Sequence, residues 1–524
     1  MSRQMISLHS VIRRRPKMAC ANDDVKHAPR SFRRGVVAGN QKLGLCRRLS
    51  ADRIIHVSNT IVHSLLSCSS YFSFRQIVVS SSPCMSLTQF YLRGEQPRAR
   101  WKRLDTAQIL KRFFFCERSL LVGASAWIPH LHDLDVKMAV PYFCWQNAET
   151  AKDLRERVFE LRFPSRMIEH EGADKPLAVL LGEIRSAPTA AAFLTAWGSI
   201  ALAALRDAYR EFLEHSDPLA DAPTYRFLEL SLREKEKQIS ALTGWAAQES
   251  ARDLSNRTRT ENWISEFSNQ LALLGGIGTD AAPPNVEVTP IPGSHPVSAP
   301  DLPARDPRYW PCRFYWPDII DAEFPYGEGL LLQLRSAVSH LNEVWAVEHG
   351  GIILSEFSDV LPWEWIHDAA RWTYDESRHC RMGQNRLAAW GFDPSEVPLG
   401  SYIYESAKGA EPIYRLGMLY FFETKNIGRK PERTAAFKEI GDAASEHDMD
   451  FDWADETIHA TYGNRWLRTL HELNPEKYPA ATRVRDDCEF LVKRMIASAS
   501  DAEKSAITER AQRMIERANE LARQ

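Results

Sequence analysis

The chain has 524 residues, 44% apolar and 26% charged, an ordinary composition for a globular protein of two or three domains. Its net charge of −2 hides an asymmetry: residues 1–84 carry 14 Lys or Arg against 3 Asp or Glu, and the remaining 440 carry 52 against 65. An acidic body excludes nucleic-acid binding as the principal activity, because phosphate affinity needs a basic surface.

The leader, residues 1–84, contains RRR, FRR and CRR clusters and 14 serines, without a sustained helical period. It reads as an organelle transit peptide, a basic tail, or sequence upstream of a true start at Met85, the last being favoured. The expected location is cytoplasmic, or organellar if the leader is a genuine transit peptide. Four of the nine cysteines lie in the leader, and no CxxC occurs. Isolated thiols in a reducing compartment are therefore expected, not a zinc knuckle or a disulfide framework.

Within 85–275, four stretches (100–125, 136–162, 189–215 and 224–248) carry apolar residues at three-to-four spacing, which predicts an antiparallel helical bundle. The uncharged run 186–205 has the length of a bilayer span, but it is mostly Ala, Ser, Thr and Gly. It is read as a buried helix, with no membrane partner. Residues 276–306 hold seven prolines and predict an interdomain linker.

A second bundle is predicted over 307–475, with helices at about 327–355, 362–390, 404–427 and 434–471. A C-terminal helical extension follows over 476–524, with a charged helix near 500–522. The fold class is therefore all-α.

Two pentads stand out, DESRH at 375–379 and DETIH at 455–459. Helix positions i and i+3 share a face, so Glu376 projects with His379 and Glu456 with His459. A solitary glutamate precedes each pair by 33 residues, Glu343 and Glu423. Equal spacing brings each of them level with its pair. Glu423 ends the apolar run YRLGMLYFFE, where an unpaired carboxylate costs several kcal/mol. One Glu from each of two helices and an ExxH from each of the other two is the ligand set of di-iron carboxylate bundles. Four carboxylates and two imidazoles suit iron or manganese. Glu348 is an alternative to Glu343, though the spacing favours Glu343. Ser377 and Arg378 are read as facing outward.

With Glu343, DESRH, FFETKNIG and DETIHATYGNRWL, residues 327–470 resemble the ferritin-like superfamily. More narrowly they resemble a DUF455-type group whose fourth helix carries DExxHxxxGxRW. The resemblance implies a ferritin-like four-helix bundle with a dinuclear non-haem centre of two Fe, or of Mn or mixed Fe/Mn. Glu376 and Glu456 would bridge, Glu343 and His379 would serve one ion, and Glu423 and His459 the other. Asp375 and Asp455 are candidates to hold the imidazoles from behind, with His340 and Tyr462 as further supporting residues.

The implied activity is O2-dependent oxidation or oxygenation of a small organic substrate. Iron handling as a ferroxidase, or a non-catalytic scaffold, are the alternatives. A homodimer is compatible with the sequence. No basic pocket motif, phosphate loop or flavin fingerprint names the substrate or the electron donor. The first bundle resembles a degenerate copy of the second. Glu117 and Glu149 lie 32 residues apart, but Thr150 and Lys152 follow and no His keeps helical register. Glu229 and Glu234 likewise lack a His partner.

Overall fold

The computed structural model describes residues 98–283, 286–295 and 298–523, all within one unit spanning 93–524. The basic leader and the start at Met85 fall outside the described residues.

The first half begins with a hairpin of α1 (Arg103–Ser125) and α2 (Leu134–Glu160). Asp133 opens α2 by accepting from the amides of Asp135 and Val136, which would otherwise lack partners. After the short α3 (Lys175–Gly182), α4 (Ala190–Leu194) runs through a π-helical segment, Thr195–Leu202, into α5 (Ala203–His215). This is the uncharged run, and it is core. Trp197 is buried, and a Cβ on Gly198 would stand 2.5 Å from Leu242 of α6 (Ala222–Arg252). No helix among the described residues is long and apolar enough to cross a membrane. Between 253 and 275 lies α7 (Arg257–Leu273), which periodicity left unmarked.

The proline-rich stretch is strapped to the body. The His295 amide donates to Ser186 O and the Ala304 amide to Pro129 O, while Asp306 accepts from the Leu134 amide. It therefore runs as packed extended chain and not as a free spacer. Beyond it, Trp310–Pro311 (β1) pairs in parallel with Pro398–Leu399 (β2).

The second half keeps the predicted order of helices, but three of the four break. Helix one is divided into α8 (Leu330–Leu341) and α9 (Val344–Phe357), and helix two is α10 (Trp363–Ala389), opened by Pro362. Helix three comprises α11 (Tyr402–Ser406) and α12 (Pro412–Asn426). Helix four comprises α13 (Lys430–Glu439) and α14 (Ala443–Leu473), turned at Gly441 with φ +74°. α15 (Ala481–Ala497) and α16 (Asp501–Leu521) close the chain.

One hydrophobic cluster runs through both halves, because α10 packs on α2 as extensively as on α8 and α9. Glycine permits the closest approach: a Cβ on Gly383 of α10 would meet the Leu341 amide nitrogen at 2.3 Å. The fold is an all-α bundle. Among the described residues all five cysteines are free, and burial pushes the Cys116, Cys144, Cys380 and Cys488 thiols up.

Candidate metal centre

All six predicted ligands converge at one height of the second half. Three trios form: Glu343, Glu376 and His379; Glu376, Glu423 and His459; and His379, Asp452 and Glu456. Within each, the donor atoms lie within 4.8 Å of one another. His379 Nδ1 stands 3.4 Å from Glu343 Oε2, 3.6 Å from Glu376 Oε2 and 3.6 Å from Asp452 Oδ1. His459 Nδ1 stands 3.2 Å from Glu376 Oε1 and 3.5 Å from Glu423 Oε1. Ligand atoms about 2.1 Å from one octahedral cation are about 3 Å apart, so this spacing fits a shared ion. Glu376 presents one oxygen to each imidazole and belongs to two trios.

The break in helix one falls on its ligand. The Asn342 amide still donates to Val338 O, but the Glu343 amide leaves the α-helical ladder and donates to His340 O at 3.0 Å. The Asn342 side chain fixes the break, donating to Pro398 O and accepting from the Gly400 amide. Glu348 is no ligand. It is buried against Lys137 of α2 and Arg305, 2.5 Å from each, because five helical positions turn it toward the first half.

The pentad aspartates cross over. Asp455 faces His379 Nε2 and Asp375 faces His459 Nε2, each at 3.4 Å, so each pentad's aspartate backs the other pentad's imidazole. Arg378 Nη1 joins the two aspartates, 2.6 Å from Asp375 and 2.9 Å from Asp455, and Arg371 Nε reaches Asp375 at 2.7 Å. The outward reading of Ser377 and Arg378 is therefore incorrect. Ser377 is buried, and Arg378, though partly exposed beside Arg371, closes the support of both imidazoles because the two aspartates it joins lie directly beneath it.

His340 lies behind the centre, with Nε2 3.1 Å from Asp452 Oδ2. Arg386 can only donate, so His340 Nδ1 accepts from it and Nε2–H points at Asp452. Burial and Arg386 hold this imidazole below its usual value, hence neutral. Tyr462 stands one ring further out, 6.2 Å from Trp372. Trp372 itself donates to Glu376 at 3.0 Å and to Glu423 at 3.2 Å.

Two functional residues escaped the sequence reading. Asp452 sits four positions before Glu456 and on its face, so extending the helical register of the second pentad would have found it. Lys430 carries no such signal. It comes from α13, pairs closely with Asp452 and lies 3.2 Å from Glu456 Oε1.

The electrostatics call for a cation. Five buried or nearly buried carboxylates (Glu343, Glu376, Glu423, Asp452, Glu456) face one ammonium, leaving a formal charge of −4 with neutral imidazoles. Without an ion, protons must compensate. Burial and Glu423 push Glu456 well up, and burial and Glu376 raise Glu423. Burial opposes ionisation of Glu376, yet the two imidazoles outweigh it and hold Glu376 low. Burial likewise opposes charging of His379 and His459. Asp452 and Asp455 around His379, and Asp375 and Glu376 around His459, win and raise both well above the usual range.

A cavity of about 280 Å³ opens on the cluster. Glu343, Glu376, Glu423 and Glu456 line one side, and Tyr315, Arg335, Tyr402 and Arg433 line the rest along with other residues.

An all-α bundle carrying an inward ring of carboxylates and imidazoles is thus the class of protein. Residues 331–494, which contain every residue of the ring, match the model of a family described as Protein of unknown function (DUF455). The chain matches no curated protein and no solved structure.

Proposed function

We propose that the ring holds two divalent cations, iron or manganese, and that the protein is a ferritin-like O2-dependent oxidoreductase acting on a small organic substrate. The observation that carries this reading is a set of five buried donor atoms without a hydrogen-bond partner. They are Glu343 Oε2, His379 Nδ1, Asp452 Oδ1, Glu456 Oε2 and His459 Nδ1, all belonging to the three trios. Buried polar atoms are usually paired, and each of the three trios contains at least one of these unpaired donor atoms. The formal −4 of the ring equals the charge of two divalent ions, and hard oxygen with imidazole suits iron or manganese.

Glu343 and His379, with Asp452, would serve one ion, and Glu423 and His459 the other. Glu376 would bridge them, and Glu456 touches both groups through Glu423 and Asp452. Bound there, a reduced pair of iron ions would supply electrons for dioxygen chemistry. The chain's own residues do the rest. Asp375 and Asp455 orient the imidazoles so that Nδ1 faces inward, Trp372 N–H positions Glu376 and Glu423, and Lys430 neutralises part of the acid without occupying a ligand position. Iron storage as the main activity would favour an acidic path for cations. Besides the ring's carboxylates the cavity carries Arg335, Lys425 and Arg433, which supports an organic substrate over a purely acidic path.

The full chain, titrated with ferrous iron under nitrogen, is expected to take up two ions per chain, counted by elemental analysis after gel filtration. Glu376→Ala is expected to lose both, and on admission of air only the wild type should consume dioxygen. A wild-type chain that retains no ion would overturn the reading. Oxidation of many irons per chain would move it to ferroxidase.

A further inference from the structure

We infer that the cavity beside the ring is built for a small organic anion, whose acid group is held by Arg335 and Arg433 while its other end faces the carboxylates. This inference rests on the dimetal reading and adds the substrate class.

Arg335 is the central observation. It lies on α8, is only 8% exposed, and lines the cavity. Its Nε is committed to Asp318 at 2.9 Å, but its Nη1 has no hydrogen-bond partner. A buried guanidinium keeps its charge and presents a planar fork of donors that fits an oxyanion. The unused N–H is itself enclosed, on a guanidinium held between Tyr315 and Tyr326 at the cavity's edge, so an oxyanion seated against Arg335 would complete its donor set.

Arg433 of α13 brings a second guanidinium to the same place. Arg335 Cζ lies 5.0 Å and Arg433 Cζ 5.2 Å from the centre of the Tyr326 ring, so both guanidinium groups pack on one aromatic ring. Lys425 and Lys430 also line the cavity, and apart from the ring's glutamates its one lining carboxylate is Asp318, the partner of Arg335. Once ions neutralise the opposite wall, the cavity is left with a net positive side. An anion entering it meets charge-assisted donors at one end and the ring at the other.

Size and surface narrow the class. About 280 Å³ is at or just below the low end for ligand pockets and is roughly the volume of nine liquid waters. The lining includes Tyr315, Tyr326, Trp345, Tyr402 and Phe422. A compact carboxylate with an apolar or aromatic body fits these walls.

The test is calorimetric titration of the full chain, loaded with manganous ions, with benzoate and with its neutral isostere benzamide. Benzoate is expected to bind at least about tenfold more tightly than benzamide. Arg335→Gln should erase that preference while leaving benzamide affinity and metal stoichiometry unchanged, and Arg335→Lys should keep part of it. If Arg335→Gln fails to fold because Asp318 loses its partner, Arg433→Gln decides, with an expected loss of at least about threefold in benzoate affinity alone. Equal binding of the two probes by the wild type, or benzoate affinity untouched by whichever variant folds, overturns the inference. A chain that binds two ions but shows no benzoate preference sinks this inference alone. A chain that binds no ion sinks the dimetal reading as well.

Discussion

The two halves bury a polar group at comparable places and solve its charge differently. In the first half Glu117 of α1 is fully buried, 2.6 Å from Lys235 Nζ and 2.7 Å from the Tyr209 hydroxyl. Lys235 also donates to Asn147 at 3.0 Å, and Gln238 donates to Gln146 at 2.9 Å. One acid meets one ammonium and the group is neutral. Its leftover atoms include a donor, Asn147 Nδ2, as well as acceptors such as Glu117 Oε2. On α6 Lys235 and Gln238 stand three apart, as Glu456 and His459 do on α14. In the second half five acids meet a single lysine, and five donor atoms of the trios are left without a partner. A buried charge must be paired wherever it sits. The first half carries its cation as a side chain, and the second must obtain the balance from solution.

The sharpest way to break this comparison is Lys235→Met, which leaves Glu117 buried and unpaired. It is expected to destabilise the chain by about 3–5 kcal/mol in denaturant titration, and Glu117→Gln in the same chain should recover most of the loss. Full stability of Lys235→Met would mean that the first half is not charge-balanced by its lysine.

The second half should respond to ions in the same way, by addition and not by mutation. Manganous ions at a hundredfold excess over their Kd are expected to raise stability by about 2.7 kcal/mol for each site filled, an effect that a chelator removes. Lys235→Met should leave this increment intact.

Imidazole support gives a smaller effect. Asp455→Asn should weaken metal affinity about 10–100-fold through His379, with helical content in circular dichroism unchanged.

pH separates the ion-free from the loaded state. In the ion-free chain the folded values of His379 and His459 are raised above their unfolded values. Their contribution is therefore complete below the unfolded value of about 6.5 and is lost as pH rises through the folded value. Metal binding needs neutral imidazoles and should strengthen over the same rise. Denaturation midpoints at acid and alkaline pH, with and without manganous ions, should move in opposite directions. Parallel movement would show that the imidazoles are not where protons and metal compete.

Much of this was legible in the chain itself. The two ExxH pairs follow from helical period alone, and the 33-residue interval set Glu343 and Glu423 level with them because hairpin length is covalent. That no His keeps helical register with the glutamates of the first half was equally readable. What the first half does with its buried polar positions was not, because Lys235 reads as one lysine in the charged run REKEKQ. The break at Asn342–Glu343 was hidden as well, since it is stabilised by hydrogen bonds to residues 398 and 400, far along the chain.

The sequence by itself therefore determined the helices and the six residues that share their inner faces, because period and loop length act locally. Only the tertiary structure decided which charges complete the site. It brought Lys430 into the ring, crossed the aspartates to opposite imidazoles, joined them through Arg378, and gathered Arg335 and Arg433 around one tyrosine. The rotation of one packed helix against another depends on the shape of the whole core, and no local spacing along the chain encodes it.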